Sequence, residues 1–421
     1  MLTLSERFAR LGTDHAPGQE VRQRSARDGK SGGKPGEDEA RNTFRGSDLS
    51  GVPVDFSHGD VNESAFAPTP GALDEFIAGV GRGGSQAYTE YRGALELREL
   101  LAERLARFTA SPVGAEGEVI ITPGTQGALF LALGALVNPG DKVAIVRPDY
   151  FANRKLVEFL NGQVVPVHMD YLGHSDRAGL DLGELEDAFR SGAKVFLFSN
   201  PNNPAGVVYS ASETARIAEL ANKYGVSVVA DQLYSRLLYS GSSYTHLRAT
   251  GIDPSLVVTI MGPSKTESLS GYRLGVAFGA SAVIDRMEKL QAIVSLRAPA
   301  YSQAVLRTWF AEPEGWMRER IVLHQALRDE LLAVFRGVDD LVVRTPEAGS
   351  YLFPRLPELD IPLHTFVRAL REQAAVTVTP GTEFSPEHGH SIRLNFSQNH
   401  EAAIAAVERI AEMIDRYRRE D

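Results

Sequence analysis

Along the middle of the chain, short apolar runs alternate with longer stretches in which apolar positions recur every three to four residues. The runs are Val119-Ile120-Ile121, Val143-Ala144-Ile145-Val146, Val164-Val165-Pro166-Val167, Val195-Phe196-Leu197-Phe198, Val226-Ser227-Val228-Val229, Leu256-Val257-Val258-Thr259-Ile260 and Leu274-Gly275-Val276-Ala277-Phe278. Near-continuous apolarity marks strands covered on both faces. The stretches between them, Leu95 to Phe108, Gly127 to Leu136, Leu182 to Arg190 and Ser210 to Tyr224, have helical spacing. This alternation predicts an α/β domain with a mostly parallel sheet between helices. Such sheets bind ligands at the carboxyl ends of their strands, so the residues just after each run are candidates for chemistry.

The pattern changes after Val283. Long helices are expected over Val283 to Ser295 and Tyr301 to Phe335. Short strands follow at Leu341-Val342-Val343, Ser350 to Phe353 and Ser391 to Phe396, with a last helix from Glu401 to Arg418. We therefore expect a large α/β domain over 53–300 and a smaller α+β domain over 301–421, with the segment from Val54-Asp55-Phe56 able to pack with the latter. Residues 1–52 read as a polar, flexible arm, since the stretch from Gln19 to Gly51 has almost no large apolar side chains.

The strand ends hold unusual residues. Gly262-Pro263-Ser264-Lys265 follows one run, and Arg273 leads into the next. An amine and a guanidinium on one glycine-rich turn suit a cofactor with both an aldehyde and a phosphate, such as pyridoxal phosphate (PLP). The amine can condense with the aldehyde and the guanidinium can fork two phosphate oxygens. Thr122-Pro123-Gly124-Thr125-Gln126-Gly127 opens a helix and is suited to an anion. Pro148-Asp149-Tyr150 offers a ring that could stack on a planar group or pack under a loop. Asn200-Pro201-Asn202-Asn203-Pro204 is a costly sequence for turning alone. Asp231 closes an apolar run three residues before Tyr234 and needs a partner, which a protonated pyridine nitrogen would supply.

Composition narrows the class. A net charge of -10 leaves no basic excess for phosphate backbones, which argues against nucleic acid. With no cysteine, disulfides and thiolate metal sites are excluded. Met1 to Arg7 carries no apolar secretory core and no stretch approaches spanning length, so no membrane association and a cytoplasmic chain are expected.

From Phe56 onward these motifs, in this order and spacing, resemble the fold-type I PLP-dependent enzymes, specifically class I/II aminotransferases of the aspartate aminotransferase superfamily. The resemblance implies that Lys265 is the Schiff-base lysine and then the proton carrier, and that Asp231 keeps the pyridine nitrogen protonated. It implies that Tyr234 and Asn203 hydrogen-bond the phenolic oxygen and that Tyr150 stacks on the ring. Gly124, Thr125, Gln126 and Arg273 would hold the phosphate, with Tyr88 reaching the partner's phosphate across a homodimer interface. Arg393, in Ile392-Arg393-Leu394, would take the substrate α-carboxylate, with the Gly59 backbone beside it. Many relatives have serine where Gly262 stands; Ser264 could replace that hydroxyl.

An amino acid and a 2-oxo acid are the implied small-molecule partners, reacting by a ping-pong mechanism. Arg297, one residue off the family's spacing before Tyr301-Ser302, is the candidate for a distal carboxylate. The same scaffold also supports a β-lyase or cyclase, which would need no oxo acid. A regulatory protein on this scaffold would need a DNA-binding domain, and the short arm supplies none.

Overall fold

The structure is a computed structural model describing residues 44–59, 61–82, 88–173 and 179–419. Most of the expected arm, and Asp60 beside Gly59, lie outside the described residues. The described chain divides into two compact units, one of 66–322 with 346–349, the other of 44–65, 323–345 and 350–419.

The first unit is built on a seven-stranded sheet in the order β2-β8-β7-β6-β5-β3-β4. Its strands are β2 (Val119–Pro123), β3 (Lys142–Arg147), β4 (Gln163–His168), β5 (Ala193–Ser199), β6 (Ser227–Asp231), β7 (Val257–Met261) and β8 (Leu274–Gly279). β7, β6, β5, β3 and β4 pair in parallel, while β8 runs against both β7 and β2. Successive side chains on a strand face opposite ways, and two core clusters divide accordingly. Ile120 and Ala277 join the helices Gly124–Leu136 and Ser281–Val294. Val119, Ile121, Val276 and Phe278 join the helix Leu95–Thr109 and the fully buried Trp309.

The sequence-expected helix over Tyr301 to Phe335 is broken. A short helix Ala300–Gln303 and a 3-10 turn Ala304–Arg307 come first, and the long helix begins only at Trp316 and runs to Arg336. Pro313 has no amide hydrogen, and Phe310 and Gly315 take positive φ (61° and 84°), so helical bonding stops. Arg104 bonds carbonyls left over by this break, including that of Arg307 at 2.9 Å and that of Trp309. The long helix serves the first unit up to Val322 and the second from Leu323, so the division lies beyond residue 300.

In the second unit, β1 (Val54–Asp55) pairs in parallel with β10 (Val376–Thr377). β12 (Ile392–Asn395) lies between β11 (Thr379–Pro380) and β9 (Tyr351–Leu352), antiparallel to both. The expected strand at Leu341 to Val343 is reduced to one bridge, Val342 to Arg355. Helices Leu363–Gln373 and His400–Tyr417 bury one face each. The described end of the arm is tied down: the Arg45 amide donates to the Tyr417 hydroxyl at 2.7 Å and the Leu49 amide to the Gln373 carbonyl at 2.7 Å. Among the described residues, no helix is long and apolar enough to cross a membrane.

Helix Ala211–Tyr224 starts with a capping box, in which the Ser210 hydroxyl accepts from the Glu213 amide and the Glu213 carboxylate accepts from the Ser210 amide. The same carboxylate accepts from the buried Leu180 amide at 3.2 Å. Ser210→Ala is expected to lower unfolding free energy by about 1 kcal/mol in urea titrations. Glu213→Ala should cost more, because it also strips the Leu180 amide of its acceptor.

Candidate active site

The sheet topology brings most of the candidates to one edge. Parallel strands β3, β5 and β7 end there and are followed by Tyr150, Asn203 and Lys265 respectively, while β6 ends there in Asp231 itself. Because β8 is reversed, its first residue rather than its last lies at that edge, so Arg273 arrives beside them. β2 is antiparallel to β8 and therefore also ends there, followed by Gly124, Thr125 and Gln126.

Close packing builds the anion end of this edge. Gly124 has φ 79°, and a Cβ on it would stand 2.4 Å from Arg273 Nη2. Gly275 passes so near that its Cβ would lie 2.4 Å from the Thr125 nitrogen. The guanidinium of Arg273, itself at φ 53°, therefore rests over the first turn of helix Gly124–Leu136. That site combines the amides of a helix's first turn, the positive end of a helix dipole and a fixed cation, which is the donor set a phosphate requires. The Tyr150 hydroxyl donates to Gln126 Oε1 at 3.1 Å, linking the ring-stacking candidate to the same turn.

Close packing accounts for the glycine at 262. A Cβ there would meet the Thr125 methyl at 2.8 Å and the Leu274 carbonyl oxygen at 3.1 Å. Ser264 is buried and its hydroxyl donates to the Leu274 carbonyl at 3.4 Å. Lys265 itself is half-buried.

Asp231 sits where β6 ends between Ser199 and Ile260. Burial pushes its carboxyl up to about 6, with the Leu233 amide, donating at 3.1 Å, working in the opposite direction. A carboxylate held this way gains by meeting a protonated heterocyclic nitrogen. Tyr234 is buried and packs against the segment 346–349, where a Cβ on Gly349 would lie 3.4 Å from its ring.

In the asparagine-proline loop, the Asn200 and Asn202 side chains are spent on the fold. Asn200 Oδ1 accepts from the Tyr209 amide and Asn202 Nδ2 donates to the Pro148 carbonyl. Gly206, at φ 68°, has no room for a Cβ, which would stand 2.5 Å from Pro346. The Asn203 amide donates to the Ser199 hydroxyl at 3.1 Å.

Asp149 escaped the sequence reading. It is 2% exposed and accepts from the Tyr150 amide at 2.6 Å, the Ser199 amide at 2.9 Å and the Ser199 hydroxyl. Burial, with Asp231's charge adding, pushes its carboxyl up to about 8. Through these bonds one acid fixes both Tyr150 and the start of the Asn203 loop. The signal for it was the same as for Asp231, an acid directly after a buried strand.

In the second unit, Arg393 on β12 is 4% exposed and stacked by Tyr351 (4.4 Å to the ring centre) and Phe384 (4.7 Å). Its Nη2 donates to the Ser57 carbonyl at 2.9 Å, two residues before Gly59, and Asn395 Nδ2 donates to the His58 carbonyl at 2.7 Å. A guanidinium fixed in this way suits bidentate capture of a carboxylate. At the surface of the first unit, Arg297 stacks on Tyr88 (4.3 Å) and Tyr91 (4.7 Å) and donates to the Thr89 carbonyl. Tyr88 is 72% exposed.

The donor set at the sheet edge thus fits PLP: an amine, an acid for the ring nitrogen and an amide-lined cradle with a guanidinium. Asp231 also yields a stability test. Its folded carboxyl binds a proton more tightly than the unfolded one, so its penalty is absent below about pH 4, grows as pH rises and is complete above about pH 6. Cofactor-free Asp231→Asn should therefore be more stable than the parent at pH 8, by up to about 3 kcal/mol, and melt at a higher temperature. The gap should close as pH falls toward 4 in a series of thermal melts.

Comparison with known proteins agrees with this chemistry. The family model "Aminotransferase class I and II" matches residues 55–410. An aspartate aminotransferase of Sulfurisphaera tokodaii is 30% identical over 79% of this chain and 83% of its own length. A (5-formylfuran-3-yl)methyl phosphate transaminase of Methanocaldococcus jannaschii is 28% identical over 85% of this chain and 91% of its own. The crystal structure of an aspartate aminotransferase from Rhodobacter sphaeroides superposes with a TM-score of 0.88 at 65% identity, covering 90% of this chain and 97% of that one. The chain belongs to the class I and II aminotransferases, and is a PLP-dependent enzyme of the fold-type I class.

Proposed function

We propose that this aminotransferase takes its nitrogen from a dicarboxylic L-amino acid, aspartate or glutamate, and passes it to a 2-oxo acid, acting as a cytoplasmic homodimer. The observation that carries the reading is the convergence of Lys265, Asp231 and the Gly124–Arg273 cradle on one sheet edge. The relatives named aspartate aminotransferase support the dicarboxylic donor. The furan phosphate transaminase shows that a relative can serve a different substrate, so the donor requires its own test.

Each residue has a physical task. The amide hydrogens of Gly124, Thr125 and Gln126, with Arg273, neutralise the phosphate and anchor the cofactor. Asp231 balances a protonated ring nitrogen, Tyr150 covers the ring face, and Tyr234 and Asn203 donate to the phenolic oxygen. Bound PLP supplies an electron sink and a carrier for the amino group. Lys265 is the base that removes the substrate Cα proton, its amine being of the right type at the right strand end. Arg393, with the Gly59 backbone beside it, takes the substrate α-carboxylate. Arg297 reads the distal carboxylate.

The dimer reading rests on exposed apolar surface. Leu73, Ile77 and Val80 form an unburied stripe on helix Ala72–Gly81, and Ile293, Val294, Leu296, Tyr88 and Tyr91 are also exposed. A surface of that kind favours association, and on it Tyr88 would serve the neighbouring subunit's phosphate.

Single amino acids mixed with the PLP-loaded enzyme should convert its visible absorption to that of the aminated cofactor fastest for aspartate or glutamate. Arg297→Ala should lower the glutamate-to-alanine ratio of half-reaction rates by about ten-fold or more; an unchanged ratio removes Arg297 from the substrate site. Product formed with no oxo acid present would instead indicate a lyase or cyclase. In sedimentation runs the parent should be a dimer, and Ile77→Asp combined with Ile293→Asp should yield monomer with reduced activity.

A further inference from the structure

Two charged residues outside the cofactor set stand in register with it. Arg236 lies two residues after Tyr234, and Glu267 lies two residues after Lys265. Their side chains are 10% and 1% exposed, and Arg236 Nη1 donates to Glu267 Oε1. Arg236 also forks Glu312, with Nη1 to Oε1 at 2.8 Å and Nη2 to Oε2 at 2.9 Å, over the Phe310 ring at 4.0 Å. Glu312 is set by its own turn, since Oε1 accepts from the Phe310 amide at 3.0 Å. The loop that carries Tyr234 and the loop that carries Lys265 are thus joined by a buried charge-assisted bond, itself braced from a third segment.

We propose that the Arg236–Glu267 pair is a positioning clamp that sets the placement of the Lys265 amine relative to the Tyr234 hydroxyl. The proposal deepens the aminotransferase reading and rests on it. A buried ion pair adds little net stability over an apolar pair, because both charges lose water. What a forked guanidinium adds is geometry, as its donors are coplanar and tolerate little movement.

The Lys265 loop otherwise has its own backbone supports. Arg320 donates to the Thr266 carbonyl at 2.6 Å and to the Ser268 hydroxyl at 2.8 Å, and the Ser268 hydroxyl donates to the Phe66 carbonyl at 2.9 Å. The Thr69 amide donates to the Glu267 carbonyl at 3.1 Å. These bonds shape the loop around a left-handed Ser268 (φ 56°) but tie it to residues 66–69 and 320, not to Tyr234. Only the side chain of Glu267 reaches the tyrosine's segment among these contacts.

Burial and neighbouring charge act in opposite directions on both members of the pair. Burial pushes Glu267 up to about 7, against the pull of Arg236, with Glu312 adding to the rise and Arg320 and the Trp309 indole opposing it. Burial works against the charge of Arg236, yet the two carboxylates more than offset it and leave the guanidinium raised. Glu312 also acts on Arg104, whose guanidinium it raises against burial.

The test is a visible-absorption pH titration of the PLP-loaded enzyme, with kcat and KM measured alongside, for the parent, Glu267→Gln and Arg236→Lys. Glu267→Gln keeps shape and one acceptor but removes the charge. It should bind full cofactor, move the absorption midpoint by about half a pH unit or more, and lower kcat about ten-fold with KM within about two-fold. Arg236→Lys, which keeps the charge without the fork, should move both in the same direction by less. A pair that only stabilised the fold would lower the melting temperature and leave midpoint and kcat at parental values; that result overturns the clamp. Should Glu267→Gln not fold, an unchanged midpoint in Arg236→Lys overturns it, and a shifted one supports it. A parent with no cofactor absorption would overturn the functional reading instead.

Discussion

The passage of Gly275 against the Gly124–Thr125 peptide is the constraint on which the cofactor edge depends. A Cβ at 275 would stand 2.4 Å from the Thr125 nitrogen, so only glycine lets β8 begin there. Because β8 begins there, Arg273 falls over the helix start, and Lys265 lies in the loop that follows the neighbouring strand, β7. The reversal of one strand in an otherwise mainly parallel sheet thereby brings a cation from the far side of a loop to the place where helix amides converge. Gly262 belongs to the same packing problem, since the Thr125 methyl and the Leu274 carbonyl fill the space that a side chain would need.

Three acids near this edge are held by burial above their usual range: Asp149 at about 8, Asp231 at about 6 and Glu267 at about 7. Their hydrogen-bond environments differ, and so do their tasks. Asp149 is surrounded by donors and organises Tyr150 and Ser199. Glu267 faces Arg236 and joins two loops. The only hydrogen bond to the Asp231 side chain among the described residues is that from the Leu233 amide. Unfavourable burial at a site is offset elsewhere in the fold and is repaid when the ligand binds.

The second unit prepares its own contribution. Arg393 is held by two aromatic rings and by the Ser57 carbonyl, so its guanidinium has already lost much of its side-chain freedom. Asn395, two residues further along the same strand and 0% exposed, holds the neighbouring His58 carbonyl. Alternate residues of one strand thus secure the loop that carries Gly59.

The sequence by itself determined the strands, because continuous apolar runs have no other stable place than a covered sheet. It also determined the residues at their ends, because Lys265, Asp231, Asn203 and Tyr150 each follow such a run. The helices over Leu182–Arg190 and Ala211–Tyr224 were equally legible, as local periodicity decides them. Only the tertiary structure decided the break before Trp316, where carbonyls find Arg104 from a distant helix, and the loss of the strand near Val342. It alone brought Asp149 to Ser199 and Arg236 to Glu267, pairs separated by 50 and 31 positions. Short-range pattern records which face of an element is apolar, whereas a buried charge acquires meaning only from the partner that folding places beside it.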